Sequence, residues 1–275
     1  MMPNSPKINK EMGLIDPIGA PQAKKASRDG FGKALVELGE SHQNMWVMTA
    51  DVSESTRTHW FAEKFPERFV QMGVAEQNMA GVAAGIASCD DAVVFISAYG
   101  VFSPGRNWDQ VRVSICYNNS NVKLHGSHTG ITVGPDGASH QALEDIAITR
   151  VLPNIAVVVP ADAEEARKAT IAAAAWKGPV YIRTCREKMP AFTTAATPFQ
   201  IGKANVLRDG DDVAIFVCGP QVYDSLIAAE MLEKEGMSCA VINCHTVKPL
   251  DTDAVRFWAR KTRLLVSVEE HQIDG

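Results

Sequence analysis

The sequence predicts an α/β fold of two doubly wound domains, each built on a mostly parallel sheet. Short, continuously apolar runs alternate with longer segments of helical periodicity. The alternation stops near residue 187 and resumes after a stretch rich in Thr, Ala and Pro. Continuously apolar strands separated by helices are typical of parallel sheets that are covered on both faces. The chain of 275 residues is also longer than most single domains, which favours two.

The predicted elements follow one another as strand and helix in both halves of the chain. In the first half the predicted helices are residues 28–38, 76–87, 140–151 and 162–176, and the predicted strands are residues 45–49, 92–97, 122–125, 155–159 and 180–183. In the second half the predicted strands are residues 213–217, 238–242 and 264–268, and the predicted helices are residues 222–234 and 252–260.

Composition divides the chain into four parts. Residues 1–25 contain four prolines and little periodicity, so we expect an extended N-terminal arm. Residues 26–190 form the first predicted domain, residues 191–198 a linker, and residues 199–275 a smaller second domain. Since no helix follows the last predicted strand, the second domain looks incomplete, and we expect it to be either naturally short or truncated.

Composition and charge also exclude several classes of function. Hydrophobic residues make up 46% and charged residues 21%, as in ordinary globular proteins. The net charge of −5 gives no support for a nucleic-acid surface, and no apolar run approaches the ~20 residues of a membrane span. The six cysteines are scattered without a Cys-x-x-Cys pair and no signal peptide is evident, so we expect reduced thiols and a cytoplasmic protein.

A Gly-rich segment at residues 126–141 follows a predicted strand and precedes a predicted helix, where open α/β sheets place ligand sites. Its histidines, His128 and His140, could exchange protons near neutral pH, and Asp136 could bind a hydroxyl group. The alternative is a surface turn with incidental histidines. Neither a cysteine nor a third histidine stands at ligand spacing, so we predict no metal site in this chain.

A second segment, residues 69–87, contains Glu76 as its only acidic residue, at the start of a predicted helix. On a surface helix, the carboxylate would interact with the helix dipole, a contribution of about 0.3–1 kcal/mol. Alternatively, the fold buries the carboxyl group, which then shares a proton with a ligand nitrogen. The segment alone leaves both alternatives open.

Together with residues 51–55, 97–102 and 181–186, these two segments resemble the carboxyl-terminal half of transketolase-type thiamine diphosphate enzymes, from about residue 26 onward. The resemblance implies a pyrimidine-binding domain followed by a smaller C-terminal domain. It also implies a thiamine diphosphate site to which this chain contributes the groups around the pyrimidine ring.

The resemblance assigns individual residues to that cofactor site. Glu76 matches the glutamate that hydrogen-bonds the N1′ atom of the aminopyrimidine and favours its imino tautomer. Tyr99 and Phe102 match the aromatic wall on which the pyrimidine stacks. Asp51 and Val52 match further cofactor-binding positions.

A sugar phosphate site is implied beside it. His140 matches the histidine near the reactive carbon and, with His128, would relay protons to and from the sugar oxygens. The positions that match contacts to the sugar and its phosphate are Arg28, Ser55, His128, Asp136 and Arg186. Arg183 is the alternative phosphate ligand, because it lies only three positions from Arg186.

One motif of this family is missing. The Gly-Asp-Gly…Asn motif, which holds the diphosphate through Mg²⁺ or Ca²⁺, does not occur in the sequence. The resemblance therefore implies a split transketolase, in which a separate N-terminal subunit carries that motif and completes the site in an α2β2 heterotetramer. No nucleic-acid or membrane partner is expected.

The implied reaction is the transfer of a two-carbon ketol unit between sugar phosphates, as in pentose phosphate metabolism. Thiamine-dependent alternatives are a 1-deoxyxylulose-5-phosphate synthase-like chain and the β subunit of a 2-oxo acid dehydrogenase. The alternative of another class is a non-catalytic regulatory or scaffolding subunit. Such a subunit would not require Glu76, two aromatic residues and two histidines together.

Overall fold

The computed structural model describes residues 8–15, 23–89 and 91–275. The strands are β1 (Lys24–Ala26), β2 (Met45–Thr49), β3 (Phe69–Gln71), β4 (Val93–Tyr99), β5 (Val122–Ser127), β6 (Ala156–Val158), β7 (Val180–Arg183), β8 (Lys188–Pro190), β9 (Asn205–Arg208), β10 (Val213–Val217), β11 (Cys239–Asn243), β12 (Thr246–Lys248) and β13 (Leu264–Val268). The helices are α1 (Ser27–Ser41), α2 (Ser53–Thr56), α3 (His59–Lys64), α4 (Glu76–Ala87), α5 (Trp108–Gln110), α6 (Asp145–Arg150), α7 (Ala163–Ala175), α8 (Gln221–Lys234) and α9 (Thr252–Lys261). Helix α5 continues as a π-helix over Val111–Tyr117. In the described part of the chain, no helix combines the length and apolarity needed to cross a bilayer.

The larger sheet has the strand order β12-β6-β7-β5-β4-β2-β3. Its strands run parallel except β12, which pairs antiparallel with β6. Because the parallel strands are buried on both faces, each face needs a covering layer of helices. Apolar residues of α1 and α7 pack on one face, and those of α4 and the π-helix pack on the other. This sheet forms the core of the first domain.

Helix α1 approaches its neighbours closely at two glycines. A Cβ atom at Gly30 would lie 1.8 Å from the carbonyl oxygen of Ala163, the first residue of α7. A Cβ atom at Gly39 would lie 2.3 Å from the ring of Phe65, just after α3. The close packing of α1 against α7 and Phe65 therefore requires glycine at these two positions.

The smaller sheet has the order β13-β10-β11-β9 and forms the second domain. Strand β10 pairs parallel with β11 and β13, and β9 pairs antiparallel with β11. Apolar residues of α8 cover one face, and Trp258 of α9 packs on the other. Two mostly parallel sheets with helices on both faces confirm the predicted fold class.

The predicted helix at residues 140–151 is shorter than expected. Helix α6 begins only at Asp145, because residues before it belong to the Gly-rich loop. There Ala138–His140 form a 3-10 turn, and Ala142 forms an isolated bridge with Thr129. The bridge between Thr129 and Ala142 therefore closes the base of the loop.

Two strand pairings join segments that are predicted to be separate. Strand β12 comes from residues 199–275 but lies at the edge of the larger sheet. Strands β1 and β8 pair antiparallel, which links the end of the predicted arm to the end of the first predicted domain. The division at residues 190 and 199 stays a prediction, and strand pairing crosses it.

Residues 1–7 and 16–22 of the predicted arm lie outside the described residues. The described residues 8–15 pack on the second domain. Asn9 donates its backbone N–H to the carbonyl oxygen of Leu207 at 2.9 Å, and Ile8 forms a bridge with Arg208. This part of the arm thus extends the surface of the smaller sheet at β9.

Candidate active site

The carboxyl ends of β2, β4 and β5 meet at one edge of the larger sheet. Tyr99, the last residue of β4, lies opposite Ser127, the last residue of β5. The loops that leave these ends, at residues 50–58, 100–107 and 128–142, carry most of the predicted site residues. Ligand sites of open α/β sheets lie at this edge.

Glu76 is the first residue of α4 and is buried, with 2% of its surface exposed. Arg106 donates from Nη1 to its Oε2 at 2.9 Å. The buried Asn107 donates from Nδ2 to the Glu76 carbonyl oxygen at 3.2 Å, which fixes the start of the helix. Of the two alternatives for Glu76, the structure shows the buried one, with an arginine as its ionic partner.

Four rings cluster beside this carboxylate. Tyr99 stacks on His128 with ring centroids 3.9 Å apart and on Phe102 with centroids 5.8 Å apart. His140 meets the rings of Tyr99 and Phe102 edge-on at 5.8 and 5.5 Å. The guanidinium of Arg106 lies 4.4 Å from the Phe102 ring centroid. One guanidinium therefore contacts both the buried carboxylate and the aromatic cluster.

His128 is buried and has a left-handed backbone, with φ of 57°. Arg28 Nη1 lies 3.3 Å from its Nε2, and Ser127 Oγ lies 2.9 Å from its Nδ1. Because a guanidinium can only donate, we assign the ring proton to Nδ1 and the acceptor role to Nε2. Burial, and next the positive charges of Arg28 and Arg186, lower the pKa of His128 to about 3. The ring is therefore neutral near pH 7.

Arg28 lies in the first turn of α1 and reaches the site from the helix layer. Its Nη1 donates to the carbonyl oxygen of Ser55 at 2.8 Å. Its Nε atom is buried and has no hydrogen-bond partner within the described ranges. Burial, followed by the charge of Arg57, lowers the pKa of Arg28. A half-buried guanidinium whose buried Nε–H has no partner is suited to bind an anion.

Asp136 and Arg186 form a second charged pair beside the same loop. The Nε atom of Arg186 lies 3.6 Å from Asp136 Oδ2, which is buried and makes no hydrogen bond to the described residues. Arg186 keeps 28% of its side chain exposed. Arg183, in contrast, is buried and donates to Asp145 Oδ2 at 2.8 Å and to the Glu270 carbonyl oxygen at 2.9 Å. The geometry favours Arg186 over Arg183 as the arginine available to a ligand.

Asp51 and Val52 connect β2 to α2 at the same edge. Asp51 is exposed with φ of 61°, and its backbone N–H donates to Gln71 Oε1 at 2.7 Å. Val52 is half-buried and packs against the core of the first domain. Among the described residues, neither side chain forms a hydrogen bond to the other predicted site residues.

Two residues near the site are not predicted from the sequence, Arg106 and the buried His125. Arg106 lies one helical turn after Phe102, since its N–H donates to the Phe102 carbonyl oxygen at 3.0 Å. The spacing of four residues could have placed Arg106 on the same side as Phe102. Pro104 and Gly105 between them are typical of a turn, however, so the sequence does not predict a helical turn there. His125 donates or accepts at Ser97 Oγ and Thr184 Oγ1, at 2.7 and 2.8 Å, and belongs to the core.

These residues fit the pyrimidine end of thiamine diphosphate. A buried carboxyl group can bind a ring nitrogen, and the aromatic cluster offers stacking surfaces. The described residues contain no group of three or more His, Cys, Asp or Glu side chains that could hold a metal ion.

Comparison with known families settles which family this arrangement belongs to. Residues 23–191 match the transketolase pyrimidine binding domain, and residues 202–275 match the transketolase C-terminal domain. The chain belongs to the transketolase family. The predicted resemblance is confirmed, and both matched regions fall on the sheets described above.

Individual members of the transketolase family show which part of the enzyme this chain resembles. A protein of Methanocaldococcus jannaschii named as a transketolase C-terminal section is 42% identical over 253 residues, 91% of this chain and 79% of that protein. One subunit of an apulose-4-phosphate transketolase from Phocaeicola vulgatus is 35% identical over 251 residues, 91% of this chain and 80% of that subunit. Transketolase-like protein 2 of Mus musculus is 38% identical over 253 residues, 91% of this chain but 40% of that protein. The chain thus spans well under half of this longer relative.

A solved structure gives the same result. A split gene transketolase in an inactive β4 tetramer superposes with a TM-score of 0.84 and 44% identity, covering 90% of this chain and 81% of that one. The chain therefore resembles the C-terminal part of transketolases, including relatives named as separate sections or subunits.

Proposed function

We propose that this chain is one subunit of a thiamine diphosphate-dependent transketolase that moves a two-carbon ketol unit from a ketose phosphate to an aldose phosphate. A separate N-terminal subunit with the Gly-Asp-Gly…Asn motif would hold the diphosphate through Mg²⁺ or Ca²⁺, in a cytoplasmic α2β2 heterotetramer. When bound, the cofactor supplies the carbon nucleophile that cleaves the ketose carbon–carbon bond.

The observation that carries this proposal is the placement of Glu76. Its carboxylate is buried, and its partner Arg106 also contacts the Phe102 ring. Arg106 binds Oε2, and within the described chain no donor reaches Oε1. Oε1 is thus free to hold a proton at the N1′ atom of a ring stacked on this cluster. A dry setting strengthens such a hydrogen bond, since water does not compete for the carboxyl group.

The arginines and histidines suit a sugar phosphate. Arg28 offers its unused buried Nε and Arg186 its partly exposed guanidinium, and two arginines can bind a phosphate through several charge-assisted hydrogen bonds. The neutral His128 ring accepts from Arg28 at Nε2, and this atom would accept from a sugar hydroxyl if Arg28 turns towards the phosphate. His140 is only half-buried, so it is the better placed of the two histidines to exchange protons with substrate oxygens. Asp136 Oδ2 has no hydrogen-bond donor within the described residues and could accept from a hydroxyl.

Three observations support a second subunit. The sequence lacks the Gly-Asp-Gly…Asn motif of the family. The chain resembles proteins named as sections or subunits. The solved split-gene relative is described as inactive when its β chains form a tetramer. The six cysteines, all unpaired, agree with a reducing compartment.

The test combines the chain with a candidate N-terminal subunit, thiamine diphosphate and Mg²⁺. We expect transfer of the ketol unit between sugar phosphates, measured by product analysis. Glu76→Gln should lower turnover by about 100-fold or more, because the amide cannot hold the proton at the ring nitrogen. Glu63→Gln is the matched control, since Glu63 is exposed on α3, and it should retain full turnover.

Other outcomes select the alternatives. Full turnover of Glu76→Gln in an intact assembly contradicts the proposal. Activity with pyruvate and none with ketose phosphates indicates a synthase-like or dehydrogenase-type enzyme. Assembly without turnover on any of these substrates indicates a regulatory or scaffolding subunit.

A further inference from the structure

The Gly-rich loop at residues 128–141 is held by a residue from the far end of the chain. Glu270 follows β13 in the second domain and is buried, with 6% of its surface exposed. Its Oε1 accepts the backbone N–H groups of Ile131 and Thr132, both at 2.8 Å. Its Oε2 accepts the Thr132 hydroxyl at 3.4 Å. One carboxylate therefore accepts hydrogen bonds from three donors of a loop in the other domain.

The loop backbone is shaped to receive this carboxylate. Gly130 has φ of 75°, and a Cβ atom there would lie 2.1 Å from Glu270 Cδ. Its own N–H donates to the Ala142 carbonyl oxygen at 2.9 Å, which closes the base of the loop. Successive N–H groups turned to one side form a concavity that binds anions. Here the bound anion is the Glu270 carboxylate of the same chain.

The segment around Glu270 is anchored independently of its side chain. Arg183 donates from Nη2 to the Glu270 carbonyl oxygen at 2.9 Å and from Nε to Asp145 Oδ2 at 2.8 Å. Two residues later, Gln272 donates its N–H to the Leu143 carbonyl oxygen at 2.9 Å. The carboxylate is therefore presented from a fixed backbone, so its contact can hold the loop in place.

We infer that Glu270 is a positioning residue, which holds the loop so that His128 and His140 contact the Tyr99 ring. The second domain thereby controls the geometry of a loop in the first. Only the role of the two histidines in substrate binding rests on the function proposed above. The contact and its effect on the loop do not depend on that function.

Hydrogen exchange of the full chain tests the first step. In Glu270→Ala, the amides of Ile131 and Thr132 lose their acceptor, and we expect their exchange to become at least about tenfold faster. Glu270→Gln keeps a carbonyl oxygen and should recover most of the protection. Glu269→Ala is the matched control, because Glu269 is adjacent but exposed, and it should leave exchange unchanged.

Histidine ring resonances test the positioning itself. The His128 ring lies 3.9 Å from the Tyr99 ring, so the ring current of Tyr99 acts on its resonances. Glu270→Ala should shift the His128 and His140 resonances, and Glu270→Gln should return them towards the wild-type positions. Glu270→Asp, which keeps the charge but draws the carboxylate back by one methylene, should shift the same resonances less strongly and serves if Glu270→Ala does not fold.

Unchanged amide exchange in Glu270→Ala overturns the inference. Faster exchange with unmoved histidine resonances also overturns it, since Glu270 would then only cap a turn. Neither measurement needs the cofactor, a partner subunit or turnover. A failure of this inference is therefore distinguishable from a failure of the proposed function, because the turnover of Glu76→Gln tests the latter.

Discussion

Single residues at the carboxyl edge of the larger sheet depend on partners from distant parts of the chain. Glu76 begins α4, whereas its partner Arg106 follows β4. Arg28 comes from α1 and meets His128 just after β5. Glu76 is buried and has Arg106 as its ionic partner, so removing Arg106 leaves the buried carboxylate without compensation. The site is therefore sensitive to single substitutions that would be mild on a surface.

The pairing of Glu76 with Arg106 can be measured by a double-mutant cycle in the isolated chain. Arg106→Ala leaves the Glu76 carboxylate buried without its ionic partner, and Glu76→Ala removes the buried charge itself. We expect a coupling free energy of about 1–3 kcal/mol from urea unfolding of the two single variants and the double variant. Arg112→Ala, at an exposed position of the π-helix, should change stability by less than about 0.5 kcal/mol. A coupling near zero would show that the two groups do not interact in solution.

At the scale of helices and strands, close packing rests on particular glycines and on apolar periodicity. The contact between α1 and α7 requires Gly30, because any side chain there would meet the backbone of Ala163. Helix α4, in contrast, carries Gly85 on an exposed face, where a Cβ atom would meet nothing within 4 Å. Two glycines in helices on opposite faces of the sheet thus have opposite structural roles.

Alanine substitutions at these two positions should change stability in opposite directions. Gly30→Ala forces α1 and α7 apart, and we expect a loss of about 2–4 kcal/mol in the free energy of unfolding. Gly85→Ala removes only the helix-propensity cost of glycine and should stabilise the isolated chain by about 0.5–1 kcal/mol. Chemical denaturation of both variants measures these changes. Equal effects at the two positions would contradict the packing described for α1 and α7.

The sequence predicts the buried elements well because their apolar runs are continuous. Strands β2, β7, β10 and β13 begin and end at the predicted residues. Short elements such as β3 and β12 have three residues each, too few to show a period. In the site, the family resemblance identifies Glu76, but its partner Arg106 lies among turn residues. Pairings between distant segments, such as that of Glu270 with Ile131, leave no pattern in the sequence.

At the scale of the whole molecule, polar contacts join the two domains through buried groups. Glu165 of α7 accepts from the backbone N–H of Ala161 at 2.6 Å and from Asn243 Nδ2, at the end of β11, at 2.8 Å. Burial, the largest effect, raises the pKa of Glu165 from 4.5 to about 8. A protonated carboxyl group therefore lies between the domains near neutral pH.

This raised pKa makes stability depend on pH. The folded state holds the Glu165 proton more tightly than the unfolded state, so its contribution is fully present below pH 4.5 and is lost as pH rises through about 8. Between pH 5 and 9, the wild type should lose on the order of 4 kcal/mol relative to Glu165→Gln. Asn243 Oδ1, which has no partner among the described residues, can accept from the new amide if the Asn243 side chain rotates.

Urea unfolding across this pH range measures the difference between the two proteins. Other titrating groups contribute equally to both and cancel in the comparison. Glu235→Gln, at an exposed position after α8, should follow the wild type. Parallel pH profiles for the wild type and Glu165→Gln would contradict the assignment.

Strand β12 has a consequence for hybrid proteins made by exchanging segments between relatives. It lies between β11 and β13 in the chain, yet it pairs with β6 of the other sheet, Thr246 opposite Val158 and Lys248 opposite Val157. A crossover at the linker would give each hybrid an edge strand from one parent and its neighbour from the other. Moving the crossover beyond β12 would instead divide the smaller sheet between the parents. Successful recombination of the two halves therefore depends on matching β6 with β12, wherever the junction is made.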